Sequence, residues 1–253
     1  MKIKTEQGEL SIIAQGAEGA LPLLFLHADC GRATQWQAVL DILASSRPVY
    51  ALDFHGNGDS APAKNGDYSY TARVADIEAT VKALGLTRLG LVAHSGSVGA
   101  TLDYAARHRD AVCAIFLLDP AADPRAVPVE IRDGYVAAMR QPDNLAPVQG
   151  YYASISGTDP RVRKQVLEDC ATSDPKARTG AAVGLSFWNP DPSLDGWTGP
   201  LFILASPITD IPSAFFATRP IAHKIMPDVG HWLQMERPEA VAEEIDNFFD
   251  SRQ

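Results

Sequence analysis

Short apolar runs alternate with stretches whose apolar residues recur at helical spacing, and this alternation restricts the chain to strands and helices in turn. Residues 21–26, 49–52, 89–93 and 111–118 read as strands. The run 111–118 is apolar without interruption, as expected of a parallel strand covered on both faces. Between these runs, residues 34–43 read as a helix. In residues 71–84, Val74, Ile77, Val81 and Leu84 keep helical spacing until Gly85 stops the element. Val98, Thr101, Leu102 and Ala105 mark a further helix face. Residues 2–5 and 10–14 read as a hairpin around Gly8. Strand and helix in alternation predict an α/β fold with a mostly parallel sheet.

The alternation stops after residue 120. Residues 121–200 are rich in proline and carry helical fragments but no strong strand. Strands resume at 201–205 and 222–226. Pro238, Val241, Ile245, Phe248 and Phe249 then give a closing amphipathic helix. The expectation is one sheet domain, residues 1–120 and 201–253, with a helical insertion over 121–200. An insertion of this length is far longer than an ordinary connection. It starts and ends within the strand order, so it is expected to cap the sheet's edge. Tyr135, Met139, Tyr151, Tyr152, Phe187 and Trp188 supply the apolar area to pack it down.

Composition excludes several classes. Acidic residues outnumber basic ones, giving a net charge of −9, and no Lys/Arg cluster is present. This argues against nucleic-acid and anionic-membrane partners. The longest apolar run, 111–118, is too short to span a bilayer. The first sixteen residues hold no apolar signal core. Cys30, Cys113 and Cys170 cannot all pair and lack metal-ligand spacing, so a reducing, cytoplasmic setting is expected. No two histidines have zinc spacing, and no metal is expected.

The segment Leu91-Val92-Ala93-His94-Ser95-Gly96-Ser97-Val98-Gly99 carries the chemistry. A buried strand meets a helix through a turn with small residues, Ala93 and Ser97, on either side of Ser95. This is the small-x-Ser-x-small pattern of a nucleophile elbow. The turn must be tight enough to thrust the hydroxyl above the sheet, and larger flanking side chains would clash. The following helix aims its N-terminal N–H groups at an oxyanion formed there. Ser97 is the rival nucleophile, within Ser95-x-Ser97-x-Gly99. Ser95 is preferred because it follows the strand by two residues.

Three further segments fall where such a site needs them. Residues 23–29 are a buried strand running out into the polar loop His27-Ala28-Asp29. Asp53-Phe54-His55-Gly56-Asn57-Gly58-Asp59-Ser60 is a glycine-rich turn after the next strand. Gly230-His231-Trp232 follows the last strand. Together with the elbow these resemble the α/β-hydrolase superfamily over about two-thirds of the chain, the insertion excepted. The glycine-rich turn and Gly230-His231 match that pattern fully. His27-Ala28 and Ala93 to Ser97 carry conservative swaps.

The resemblance implies an eight-stranded, mostly parallel sheet with helices on both faces and a helical cap. It implies His231 as general base, since a neutral imidazole accepts the Ser95 proton near pH 7. It implies an acid in the loop after residues 201–205, where Asp210 stands; Asp119, at the end of the earlier strand, is the alternative. Asp210 is preferred, although it sits about one residue later than the family's usual position and the family's glycine after this strand is missing. The N–H groups of Gly96 and Asp29 are implied as the oxyanion hole. An anionic side chain at 29 is awkward there and is expected to point away or to meet a cationic part of the substrate. Trp36, His27 and Trp232 are expected at the substrate pocket, with plain core as the alternative for each. His94 supports the turn.

The implied activity is that of a serine carboxylesterase acting on a small or medium ester, without a cofactor, with a small molecule as its partner. The same residues also suit a lactone, an amide, a carbon–carbon bond or cofactor-free oxygenation. A silent, ligand-binding member of the fold is a further alternative. An epoxide hydrolase would want an aspartate at position 95.

Overall fold

The computed structural model describes residues 1–17 and 19–250. Eight strands form one sheet: β1 (Lys2–Lys4), β2 (Glu9–Gln15), β3 (Leu23–Leu26), β4 (Val49–Asp53), β5 (Leu89–His94), β6 (Val112–Leu118), β7 (Leu201–Ala205) and β8 (Ala222–Ile225). Their order is β1-β2-β4-β3-β5-β6-β7-β8. β2 pairs antiparallel with β1 and β4, and every other pairing is parallel. The hairpin, the strand positions and the parallel sheet therefore match the expectations from the sequence.

The helices are α1 (Gln37–Leu43), α2 (Tyr70–Ala83), α3 (Val98–Arg107), α4 (Val129–Met139), α5 (Leu145–Ile155), α6 (Pro160–Thr172), α7 (Pro175–Phe187), α8 (Asp191–Gly196), α9 (Phe215–Thr218), α10 (Leu233–Glu236) and α11 (Pro238–Asp250). The predicted helix 34–43 splits into a 3₁₀ turn, Ala33–Trp36, and α1. Ser69 caps α2, accepting from the Ala72 N–H, and Gly85 follows its C-terminus at φ +65°. No helix among the described residues is long and apolar enough to cross a membrane.

The alternation of side chains along a strand sorts the core onto two faces. Leu24, Leu26, Leu91 and Ala93 join Val74, Ile77 and Leu102 of α2 and α3 on one face. Leu23, Phe25 and Val92 join Val39, Leu40, Ile245 and Phe249 of α1 and α11 on the other. β5 is buried at every position. Each large apolar side chain so buried contributes about 1.5–3 kcal/mol. β8 is the exception: it lies at the edge, and Ala222, His223 and Lys224 are exposed.

Helices α4 to α8 occupy the chain between β6 and β7. Met139, Val148, Tyr152, Val162, Val166 and Cys170 from these helices pack with Cys30 and Trp232, which follow β3 and β8. The helical segment thus rests on the loops at one end of the sheet. Cys30, Cys113 and Cys170 are free thiols.

Candidate active site

The strand ends place four chemical groups together. Ser95 follows β5 directly and holds φ +55°, a left-handed conformation that side chains with a Cβ rarely adopt. Small neighbours make the bend possible. Ala93 lies between Leu26 and Leu117 in the sheet. Ser97 is fully buried and donates its hydroxyl to the His27 carbonyl. Ser97 is therefore part of the scaffold, whereas Ser95 is only half-buried and its Oγ lies 2.7 Å from His231 Nε2.

His231 is fixed from several sides. Its N–H donates to the Ile155 carbonyl at 2.9 Å. Its own carbonyl accepts the Nε2–H of His94 at 2.8 Å, and Gln234 donates to His94 Nδ1 at 3.1 Å. Burial, with the neighbouring His231 as a smaller contribution, holds His94 well below the usual histidine range, so His94 is a neutral strut. Gly230 comes so close to the backbone of Gly157 that a Cβ would sit 2.3 Å from the Gly157 nitrogen. Glycine is required there for the turn after α5 to meet the His231 loop.

The acid facing His231 is Asp119. Its Oδ2 accepts the His231 Nδ1–H at 2.5 Å, and Asp119 is fully buried at φ +43°. The same carboxylate accepts the Ser206 N–H at 2.5 Å, the Ser206 hydroxyl at 2.9 Å and the Thr209 hydroxyl. The expectation of Asp210 is corrected here. The loop after β7 turns Ser206 and Thr209 inward as donors to Asp119, which leaves Asp210 exposed. β6 lies between β5 and β7, so its end is the nearer of the two to Ser95. Charge-assisted hydrogen bonds from four donors compensate for burying this carboxylate.

The N–H groups of Gly96 and Asp29 have no acceptor within the protein among the described residues. The sequence left the Asp29 side chain to point away or to meet a cationic part of the substrate; in the structure it does not point away. It packs against Gly96, where a Cβ would come 2.2 Å from Asp29 Oδ2, and pairs with Arg73 Nη1 at 2.5 Å. Gly96 is required by that approach. The Tyr152 hydroxyl donates to the Asp29 carbonyl at 2.8 Å.

The three residues expected at the substrate pocket are core. Trp36 is fully buried against Phe25 and His94. His27 is fully buried; its Nε2 accepts the Phe54 N–H at 3.1 Å, and its Nδ1–H donates to the Ala28 carbonyl at 2.7 Å. Burial depresses its pKa to about 3, so it stays neutral. Trp232 is buried between Tyr152 and the rings of His94 and His231. The glycine-rich turn is also scaffold: Asp53 accepts the Ala33 N–H at 2.6 Å and the Asp59 N–H at 2.9 Å. Sequence reasoning missed Ser206, Thr209 and Arg73, whose polar positions carry no motif of their own.

A model of the alpha/beta hydrolase family matches residues 23–244. Among curated proteins, the dihydrolipoyllysine-residue acetyltransferase component of the acetoin cleaving system of Pseudomonas putida is 25% identical over 248 residues, covering 91% of this chain and 64% of that protein. The soluble epoxide hydrolase of Corynebacterium sp. (strain C12) is 27% identical over 126 residues, 47% of this chain and 44% of that protein. The chain thus spans less than two-thirds of the length of either relative. Among solved structures, a thermophilic esterase from Thermogutta terrifontis superposes with a TM-score of 0.86 at 20% identity, over 99% of this chain and 98% of that one, a likeness of fold.

Proposed function

The chain belongs to the alpha/beta hydrolase family, and on that premise we propose that it is a serine hydrolase that cleaves a small or medium carboxylic ester through an acyl-enzyme on Ser95. The observation that carries this reading is the line Ser95 Oγ, His231 Nε2, His231 Nδ1, Asp119 Oδ2, with hydrogen bonds of 2.7 and 2.5 Å at its two ends.

In this reading, His231 Nε2 takes the Ser95 proton as Oγ attacks the ester carbonyl carbon. The carbonyl π electrons move to oxygen, and the N–H groups of Gly96 and Asp29 receive that oxyanion. Asp119 holds the neutral imidazole in the tautomer that accepts at Nε2 and then faces the imidazolium that forms. When the tetrahedral intermediate collapses, the C–O bond to the alcohol breaks and His231 returns its proton to the departing oxygen. A water then gives its proton to His231 and attacks the acyl carbon, and Ser95 leaves with that proton. This reading draws on no cofactor and takes a small molecule as its substrate.

Residues 121–200 act as the cap in this account, since Tyr152 and its neighbours cover the Asp29–Cys30 turn and Trp232. A serine at 95 supports ester rather than epoxide opening, which would use a carboxylate nucleophile there. The test is turnover of 4-nitrophenyl esters of increasing acyl length. Wild-type protein is expected to hydrolyse the short members, and Ser95→Ala to lose turnover by at least about three orders of magnitude while unfolding at the same temperature. Equal turnover by the two proteins contradicts the reading.

A further inference from the structure

A buried carboxylate beside an oxyanion hole opposes the charge that forms there. Asp29 supplies one of the two N–H groups, and its side chain lies on the α-carbon of Gly96, which supplies the other. Asp29 is 8% exposed, so water screens its charge poorly. Two like charges about 5 Å apart at an effective dielectric constant of about 20 repel strongly enough to cost up to a few hundredfold in rate.

Helix α2 answers this charge. Arg73, 4% exposed, holds Asp29 Oδ1 at 2.5 Å, and its guanidinium lies 4.9 Å over the Phe54 ring. One turn earlier, the Tyr70 hydroxyl donates to the Gly96 carbonyl at 2.8 Å. In the preceding peptide unit, the one that carries the Gly96 N–H, the Ala121 N–H donates to the Ser95 carbonyl at 3.3 Å. One face of α2 therefore grips both N–H-bearing segments, each through its oxygen atoms. The glycine-rich turn contributes Phe54 to the same packing.

We infer that Arg73 is a positioning residue for the oxyanion hole: it cancels the Asp29 charge and clamps the Asp29 turn against Gly96, so that both N–H groups stay free and convergent. This rests on the serine-hydrolase reading. Arg73 touches no reacting atom and acts through Asp29.

Arg73 also lines a cavity of about 230 Å³ whose walls include His55, Asp76 and Tyr68. That cavity makes the inference testable by chemical rescue, because removing the side chain opens a route for a small cation to the Asp29 carboxylate. The experiment measures kcat and KM for 4-nitrophenyl acetate, per active serine titrated with a fluorophosphonate. The proteins are wild type, Arg73→Ala and the double variant Arg73→Ala/Asp29→Asn. Arg73→Ala is assayed alone, with guanidinium and with urea, its neutral isostere, both at non-denaturing concentration.

The expected result for Arg73→Ala is a loss of roughly ten- to a hundredfold in kcat with KM changed by less than about threefold. Guanidinium restores most of the loss and urea does not, and adding Asp29→Asn restores it without any cation. Wild-type kcat in Arg73→Ala, or equal rescue by urea and guanidinium, overturns the inference and leaves the hydrolase reading standing. A wild-type protein with no turnover and no labelled serine overturns that reading, and this inference with it. Should Arg73→Ala not fold, Arg73→Lys keeps the buried charge and is expected within about tenfold of wild-type kcat. A hundredfold loss in folded Arg73→Lys overturns the charge argument.

Discussion

Asp119 and His231 are 112 positions apart in sequence, yet Asp119 Oδ2 accepts the His231 Nδ1–H at 2.5 Å from a fully buried position. This pairing brings the residue just after β6 to the imidazole and gives the loop after β7 a supporting role through Ser206 and Thr209.

The pairing predicts a sharp contrast between two aspartates. Asp119→Asn removes the charge facing the imidazolium and disturbs the tautomer of the neutral imidazole, so kcat falls about 10³–10⁴-fold. Asp210→Ala removes an exposed side chain and leaves kcat within about twofold. Steady-state kinetics on a 4-nitrophenyl ester checks both, and comparable losses in the two variants count against the assignment.

Two serines two positions apart are predicted to fail differently. Ser97→Ala strips the buried His27 carbonyl of a donor and costs about 1–3 kcal/mol of stability. Turnover per titrated active site stays within about tenfold. Denaturant unfolding together with active-site titration separates this outcome from the loss of chemistry expected at Ser95.

Trp36 is predicted to matter for stability alone. Truncation to alanine empties a fully buried site next to Phe25 and His94 and costs about 3–5 kcal/mol. KM for small esters, measured well below the melting temperature, is expected to be unchanged. A selective rise in KM would return Trp36 to the pocket.

Acid sensitivity follows from the two neutral buried histidines. His27, lowered to about 3, and His94, lowered well below 6.5, both by burial, take up protons in the unfolded chain before the folded one does. Their contribution to stability is complete above the unfolded value of about 6.5 and is lost as pH falls below it. Each histidine can supply a slope of up to about 1.4 kcal/mol per pH unit. Asp53 and Asp169, raised by burial, act in the opposite sense. The check is therefore a comparison: between pH 6.5 and 5, His27→Gln should lose less stability than wild type in denaturant titrations. Parallel curves contradict the account.

The fold was legible because its signals are local. The apolar run 111–118 and the helical spacing of Val74, Ile77 and Val81 need no knowledge of neighbours. Ser95 was legible for the same reason, since the strand, the small flanks and the following helix all lie within ten residues. His231 was marked by its glycine and its place after the last strand. The acid depended on something else, namely which of two adjacent strand ends aims at the imidazole, and that is fixed by sheet order and by where Ser206 and Thr209 turn. Trp36, His27 and Trp232 were misplaced for a related reason. Proximity in sequence to the site says nothing about which face of the sheet buries a ring. The direction of the Asp29 side chain was set by Arg73, 44 positions away.

The claim on which the account turns is that contact with His231 makes the Ser95 hydroxyl a nucleophile. Reaction with a fluorophosphonate probe, followed by peptide mapping, tests it directly. The account predicts a single phosphonylated peptide with the label on Ser95, absent in His231→Ala and retained in Ser97→Ala. Labelling elsewhere, labelling that survives loss of His231 undiminished, or a folded protein that takes no label contradicts it.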